Sequence, residues 1–167
     1  MDYERGCYND CMKKVTTYDV YGKPHNVDAD DLEFSVHVYG VAMDDKGNIL
    51  ISPQWDGFDF PGGTAEKGET HVETLKREFK EETGYEVEPT ELIGFETSFF
   101  HHRDKDYQSY LVFYRVKIVG GELSDAGFNE EERQYAKMAR WVTLDELKSM
   151  HHACSVNVID ELMKKLV

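Results

Sequence analysis

The sequence is poor in cysteine, in positive charge and in long apolar runs, and each shortage excludes something. Three cysteines, Cys7, Cys11 and Cys154, form an odd set and give no disulfide framework. Cys7 and Cys11 could be half of a metal site, but no second pair completes one, so they read as reduced thiols of a cytoplasmic protein. Lys and Arg number 19 against 33 Asp and Glu, for a formal net charge of -14. A chain this acidic releases no counterions from a phosphate backbone, which argues against bulk nucleic acid as a partner. It also finds no attraction at an anionic membrane surface. No apolar run approaches membrane-spanning length, and mean hydropathy is -0.61. The opening MDYERGCYNDCMKK lacks the apolar core of a secretory signal.

What is present is enough for one domain. The chain has 167 residues, 40% of them hydrophobic. Such a chain buries on the order of 70% of the surface it exposes when unfolded. An acidic protein can still act on a small anionic substrate if cations bridge the two, so a polyphosphate substrate here implies a divalent metal.

Taken in order, residues 1–13 form a polar leader. KVTTYDVY over 14–21, with the turn Gly22-Lys23-Pro24, reads as one arm of a hairpin. We divide the chain into this leader and hairpin over 1–31 and a main domain over 32–167. LEFSVHVYGVAM over 32–43 is a strand; Asp44 to Gly47 is a turn, and NILIS over 48–52 returns as its hairpin partner. The short aromatic run 55–60 follows, and Pro61-Gly62-Gly63 breaks regular structure. Residues 86–100 are extended but interrupted by Pro89, and HHRDKD over 101–106 is a charged turn. A second long strand covers 109–119, and a polar loop over 120–134 holds Glu130, Glu131 and Glu132. A last strand over 139–142, a short helix over 144–150 and a terminal helix to 166 close the chain. Strands early and helices late predict an α+β fold with a mixed β-sheet.

The stretch 63–85, GTAEKGETHVETLKREFKEETGY, predicts a loop and a helix. Thr70 and Glu73 form a T-x-x-E capping box, and Gly84 ends the helix as a left-handed cap. Val72, Leu75 and Phe79 give one buried stripe. At about 100° per residue, Glu78, Glu81 and Glu82 fall within roughly a 100° arc beside it. Like charges at this spacing cost about 0.2–0.5 kcal/mol per pair; a hard divalent ion reverses that sign by taking their oxygens. Arg77 can pair with Glu81 or Glu73 and hold the cluster's geometry. Gly62 and Gly63 let the backbone approach a metal or a phosphate, and a Gly62 carbonyl suits a hard ion. Glu69 can hold the loop against the helix. Taken alone, such an acidic face reads as a solvated one.

The full pattern is more specific. Gly63, Glu69, Arg77, Glu78, Phe79, Glu81, Glu82, Gly84 and Tyr85 satisfy GX5EX7REUXEEXGU in register, U being bulky and apolar. This resembles the Nudix box, and the chain resembles a Nudix hydrolase over roughly 32–166; FDFPGG and ARWVTLDEL fit as well. The resemblance implies an α/β/α sandwich and divalent-metal-dependent hydrolysis of a small-molecule diphosphate, a nucleoside diphosphate linked to a further moiety. It implies Mg²⁺ or Mn²⁺ on Glu78, Glu81, Glu82 and the Gly62 carbonyl. Arg77 joins the catalytic set, and Gly63, Glu69 and Gly84 are structural within the motif. The general base is Glu78 or a glutamate of the later run 130–132, which read alone is a solvated turn. A homodimer is possible, since dimers are common in the family.

For the substrate, Phe99, His101, Arg103 and Asn157 are the candidate contacts: an aromatic to stack, cations for phosphate, an amide for a base. No proline follows Pro89 in the region where ADP-ribose hydrolases of the family tend to carry one. An isopentenyl-diphosphate-isomerase-like enzyme is the alternative, because the N-terminal hairpin resembles that of such members. It needs a pocket cysteine before the box, and residues 32–69 hold none. A non-catalytic Nudix-like sensing module is the third reading; such modules often lose box glutamates, and this chain keeps them all.

Overall fold

A computed structural model describes residues 13–54, 57–128, 130 and 132–150. Its main element is a six-stranded mixed sheet in the order β2-β1-β7-β8-β3-β6. The strands are β1 (Lys14–Tyr18), β2 (Pro24–Asp28), β3 (Glu33–Ala42), β6 (Gly62–Thr64), β7 (Tyr85–His102) and β8 (Lys105–Gly121). A three-stranded sheet, β5-β4-β9, comprises β4 (Ile49–Gln54), β5 (Gly57–Asp59) and β9 (Arg140–Val142). Helix α1 (His71–Thr83) and helix α2 (Leu144–Ser149) pack on this frame. Among the described residues no helix is long and apolar enough to cross a membrane.

The two-residue period of β3 explains why two cores form. Val38 and Ala42 point into a cluster with Leu50, Leu75, Phe79, Val87, Val116 and Ala139, which is the α1 side. Tyr39 and Val41 point the other way, to Ile49, Ile51, Phe58, Phe60, Ile93, Phe113 and Leu147, which is the α2 side. Both faces of the strand are therefore covered. Gly40 sits where α1 comes closest: a Cβ there would lie 2.7 Å from Phe79 Cδ2 and 3.2 Å from Leu75 Cδ1. Burying Phe79 and Leu75 contributes roughly 1.5–3 kcal/mol each.

The strand pairings differ from the expected ones in four places. The segments 32–43 and 48–52 are not partners in one sheet. They share a single bridge, Met43 to Ile49, before β4 departs to pair with β5 and β9. The partner of β3 is β8, parallel over ten residue pairs from Glu33–Tyr107 to Ala42–Val116. Pro61-Gly62-Gly63 does not break regular structure, because β6 pairs antiparallel with β3. Pro89 does not interrupt β7; it sits at a register shift, where a bulge absorbs its missing N–H.

Two smaller corrections follow. The charged turn contracts to Arg103 and Asp104, both at positive φ, because His101–Asp106 and His102–Lys105 already pair across the hairpin. Val72 is only half-buried, and Thr74 and Thr83 complete the buried stripe with Leu75 and Phe79. The N-terminal hairpin forms as expected, Lys14 to Asp28 through Tyr18 to Pro24, and reaches β7 at Tyr18–Phe100. The expected terminal helix lies outside the described residues.

Candidate active site

The site is built where β6 enters α1. Thr70 Oγ1 accepts from the Glu73 amide at 3.3 Å, and Glu73 returns the contact to the Thr70 amide at 2.8 Å. Gly84 closes the helix at φ 75°, its N–H donating to the Lys80 carbonyl at 2.8 Å. Between these caps the helix phase is fixed: Leu75 and Phe79 face the sheet, and Glu78, Glu81 and Glu82 face the β6 edge.

Glu69 and Arg77 clamp the loop to the helix. The guanidinium donates two parallel bonds to Glu69, 2.7 Å from Nε and 2.9 Å from Nη2. The same carboxylate accepts from the Glu66 amide and the Thr74 hydroxyl, both at 2.9 Å. Chiefly through Arg77, and then through the Glu66 amide, the Glu69 carboxyl is held down at about 2. Arg77 also donates to the Thr64 carbonyl at 3.2 Å, and its Nη1 lies 2.9 Å from Glu78 and 3.3 Å from Glu81. Its pKa is raised, first by Glu69 and then by Glu78, so it remains a cation. The expected pair with Glu81 is present; the partner expected at Glu73 is replaced by Glu69.

Glu78 lies against Gly63, where a Cβ would come within 2.5 Å of the carboxyl carbon. Only glycine leaves that space. Glu82 is half-buried, and its Oε2 accepts from Ser52 Oγ at 2.8 Å and from the Gly62 amide at 3.2 Å. Burial pushes its carboxyl up to about 8, against the pull of those two donors and with a further push from the charges of Asp59 and Glu78. Glu81 is the exposed member, with 48% of its side chain accessible.

The donor chemistry fits a hard divalent ion. The groups are oxygen ligands, and Glu82 favours its proton chiefly because it is buried, with the charges of Asp59 and Glu78 adding to that; a cation offsets both. Among the described residues no three His, Cys, Asp or Glu side chains already converge on one point. The carboxylates are engaged with Arg77, Ser52 and the Gly62 amide instead.

The structure does not bring the other candidates to this point. His101 Nδ1 donates to Asp106 Oδ1 at 3.0 Å, and the ring stacks on His25 with centroids 3.9 Å apart. Arg103 is exposed in the turn, and Phe99 is half-buried on β7. Tyr107 beside that turn pairs with Glu33, whereas the box entry pairs at His37 to Tyr39, four to six residues further along β3. That is ~13–20 Å of strand. Glu130 is exposed. Glu131, the side chain of Glu132 and Asn157 lie outside what the structure describes.

Three residues of the site went unread in the sequence. Asp59 is 1% exposed, on β5 between Phe58 and Phe60. An acid inside the aromatic run FDF was the available signal. Ser52 and His37 are polar residues inside otherwise largely apolar strands. His37 Nε2 is 3.0 Å from Ser35 Oγ, and burial lowers its pKa while the Asp59 charge opposes that.

Comparison with known proteins shows the family. A family model described as NUDIX domain matches residues 33–162. The chain belongs to the Nudix family. It is 33% identical over 107 residues to an ADP-ribose pyrophosphatase of Methanocaldococcus jannaschii, covering 60% of each protein. It is 28% identical over 131 residues to a MutT-like protein of Streptomyces ambofaciens, covering 77% of each. A match to a Bacillus subtilis protein covers 50% of that protein. The chain thus spans half to three fifths of the length of the first of these curated relatives. Among solved structures, a NUDIX hydrolase from Nitrosomonas europaea superposes with a TM-score of 0.60 at 19% identity, over 79% of this chain and 87% of that one. At that identity the likeness shows the fold: a mixed curled sheet with helices against it, the α+β sandwich of Nudix proteins.

Proposed function

We propose that this Nudix protein is a divalent-metal-dependent hydrolase of a nucleoside diphosphate linked to a further moiety. The observation that carries the reading is the Glu82 carboxyl, held between Ser52 and the Gly62 amide near Glu78 and Asp59, where burial first and those two charges after it disfavour its charged form. The names of its relatives, ADP-ribose pyrophosphatase and MutT-like, support the reaction class. Mg²⁺ or Mn²⁺ held by Glu78, Glu81 and Glu82 with the Gly62 carbonyl would polarise the diphosphate and lower the pKa of an attacking water. The chain's own part is orientation. Glu69 fixes Arg77; Arg77 holds Glu78 and Glu81 in place; Ser52 and the Gly62 amide hold Glu82; Gly63 admits Glu78 to the β6 edge. The general base is Glu78 or a glutamate of the run 130–132. The reading includes a cytoplasmic setting and an N-terminal hairpin region over 1–31 outside the hydrolase domain of 32–167.

The test is turnover of a panel (ADP-ribose, nucleoside triphosphates, oxidised dGTP, dinucleoside polyphosphates, nucleotide sugars) with Mg²⁺, with Mn²⁺ and with chelator. The relatives' names put ADP-ribose first, while the missing proline after Pro89 counts the other way. Metal-dependent release of a phosphorylated product from at least one member is expected. No turnover of any member by folded protein in either metal overturns the reading.

A further inference from the structure

The α1 side of the main sheet is wider than α1. Val36 and Phe34 stand two and four residues before Val38 on β3, so they point to the same side and lie beyond the helix contact at Gly40. Tyr110 on β8 is opposite Val36, and Phe95 on β7 is opposite Val112, the next β8 residue on that side. The rings form one row across three strands. Phe34 stacks on Tyr110 with centroids 6.3 Å apart, and Tyr110 stacks on Phe95 at 5.8 Å. Where the helix begins, His71 closes the row by stacking on Tyr114 at 5.5 Å. Yet Phe34 is 72% exposed, Phe95 63%, and Leu92, opposite Tyr114, 55%. Single exposed apolar side chains are ordinary; a contiguous row of them marks a surface that something else covers.

The position of β1 points to what covers it. β1 runs parallel to β7 with Tyr18 opposite Phe100, so Lys14 comes level with Glu96, next to Phe95. The Lys13 carbonyl accepts from the Ala29 amide at 2.8 Å, which fixes the chain as far as Lys13. The segment before it, MDYERGCYNDCM over 1–12, therefore starts at the edge of the row. A stretch of that length reaches up to ~40 Å when extended. From β7 to β3 the row spans two strand spacings, ~10 Å. Between the charges of the segment stand Met1, Tyr3, Tyr8, Cys11 and Met12. Tyrosine rings stack on aromatic rings, and methionine sulfur packs well at their edges.

We infer that the row of Phe34, Tyr110 and Phe95 is the docking site of residues 1–12. This holds independently of the diphosphate chemistry. Two other occupants fit less well. Residues 151–167 leave from Met150, which packs against the core on the opposite side of the sheet, with Phe58, Phe113 and Leu147. A second copy brings a further charge of -14 against this one, and the outer edge of β7 is a poor strand template. Its ladder with β8 shifts register at three points, and the strand carries Pro89, Glu86, Glu88 and Glu91. These are features that discourage strand addition. Tethering also favours the chain's own segment, since a short linker holds it at a millimolar effective concentration.

Nuclear Overhauser spectra of the full chain in dilute solution test this without any variant. Contacts from the rings of Tyr3 and Tyr8 to the rings of Phe34 and Phe95 are expected. Isotope-filtered spectra of a mixed labelled and unlabelled sample tell one chain from two. Contacts found only between copies overturn the assignment in favour of a dimer interface. Contacts from residues 151–167 overturn it in favour of that segment, and no contact to the row from any segment overturns it outright. Tryptic cleavage after Arg5 gives a second readout. The double variant Phe34→Ser, Phe95→Ser alters two exposed positions and is expected to speed that cleavage about 10-fold. Equal cleavage rates in wild type and folded variant overturn the docking.

Discussion

Glu82→Gln separates what the fold wants from what the site wants. The wild-type carboxyl sits in a pocket that moves it from 4.5 to about 8. Between those values the folded chain keeps a proton that the unfolded chain has released. Stability therefore falls as pH rises across that window and levels off above it. At 1.36 kcal/mol per unit the span bounds the penalty at about 5 kcal/mol. Glu82 is only half-buried, and water reaching it leaves on the order of 1–2 kcal/mol. A glutamine keeps an oxygen for Ser52 and the Gly62 amide and carries no charge, so it escapes the penalty. Denaturant unfolding without divalent metal is expected to show Glu82→Gln level with wild type at pH 4.5–5 and more stable by that amount at pH 8.5. Turnover in Mg²⁺ is expected to fall at least about 100-fold. A variant no more stable than wild type at pH 8.5, or equally stabilised at both pH values, refutes the electrostatic account. Full activity in the variant refutes the site.

Gly63→Ala places a methyl 2.5 Å from the Glu78 carboxyl carbon. Glu78 must leave its rotamer at a cost of about 0.5–1.5 kcal/mol, and activity is expected to drop about 100-fold; wild-type kcat in a correctly folded variant would rule out this spacing role. Gly40→Ala drives a methyl into the Phe79 ring instead, so about 1–3 kcal/mol of stability should be lost; an unchanged melting temperature would show that α1 gives way freely. The depressed Glu69 carboxyl contributes stability that is present above pH 4.5 and lost as pH falls towards 2. Melting temperature should accordingly decline more steeply over that range in wild type than in Glu69→Gln, and parallel declines would refute the pairing with Arg77.

What was legible in the sequence was whatever depends on near neighbours in the chain. The Thr70–Glu73 box, the Gly84 cap and the carboxylate face follow from spacings of three, four and seven, and they stand in the structure as read. The pairing of β3 was not legible in this way. Its nearest apolar segment along the chain is β4, and a turn at Asp44 to Gly47 joins them, with Asp44 accepting from the Lys46 and Asn48 amides at 2.8 Å. That local signal is genuine, yet β3 binds β8, some seventy residues later, because only there does a long apolar strand cover ten residues of its edge. The same limit hid part of the site. Asp59 bears on Glu82 and on His37 across three elements, β5, α1 and β3, whose meeting no short spacing encodes.

The site therefore has two origins in one helix. Glu78, Glu81 and Glu82 are placed by helical phase, which the chain encodes locally. Their chemistry is set by partners from β4, β5 and β6: Ser52, Asp59 and the Gly62 amide. A helix with the same glutamates on an open surface would carry ordinary carboxylates, since the shift of Glu82 begins with burial. In the proposed reading the box supplies the ligands, and the two sheets that close on it make one of them resist its own charge. That resistance is what a bound divalent ion would relieve, and on that reading the stability and the activity of Glu82→Gln should move in opposite directions.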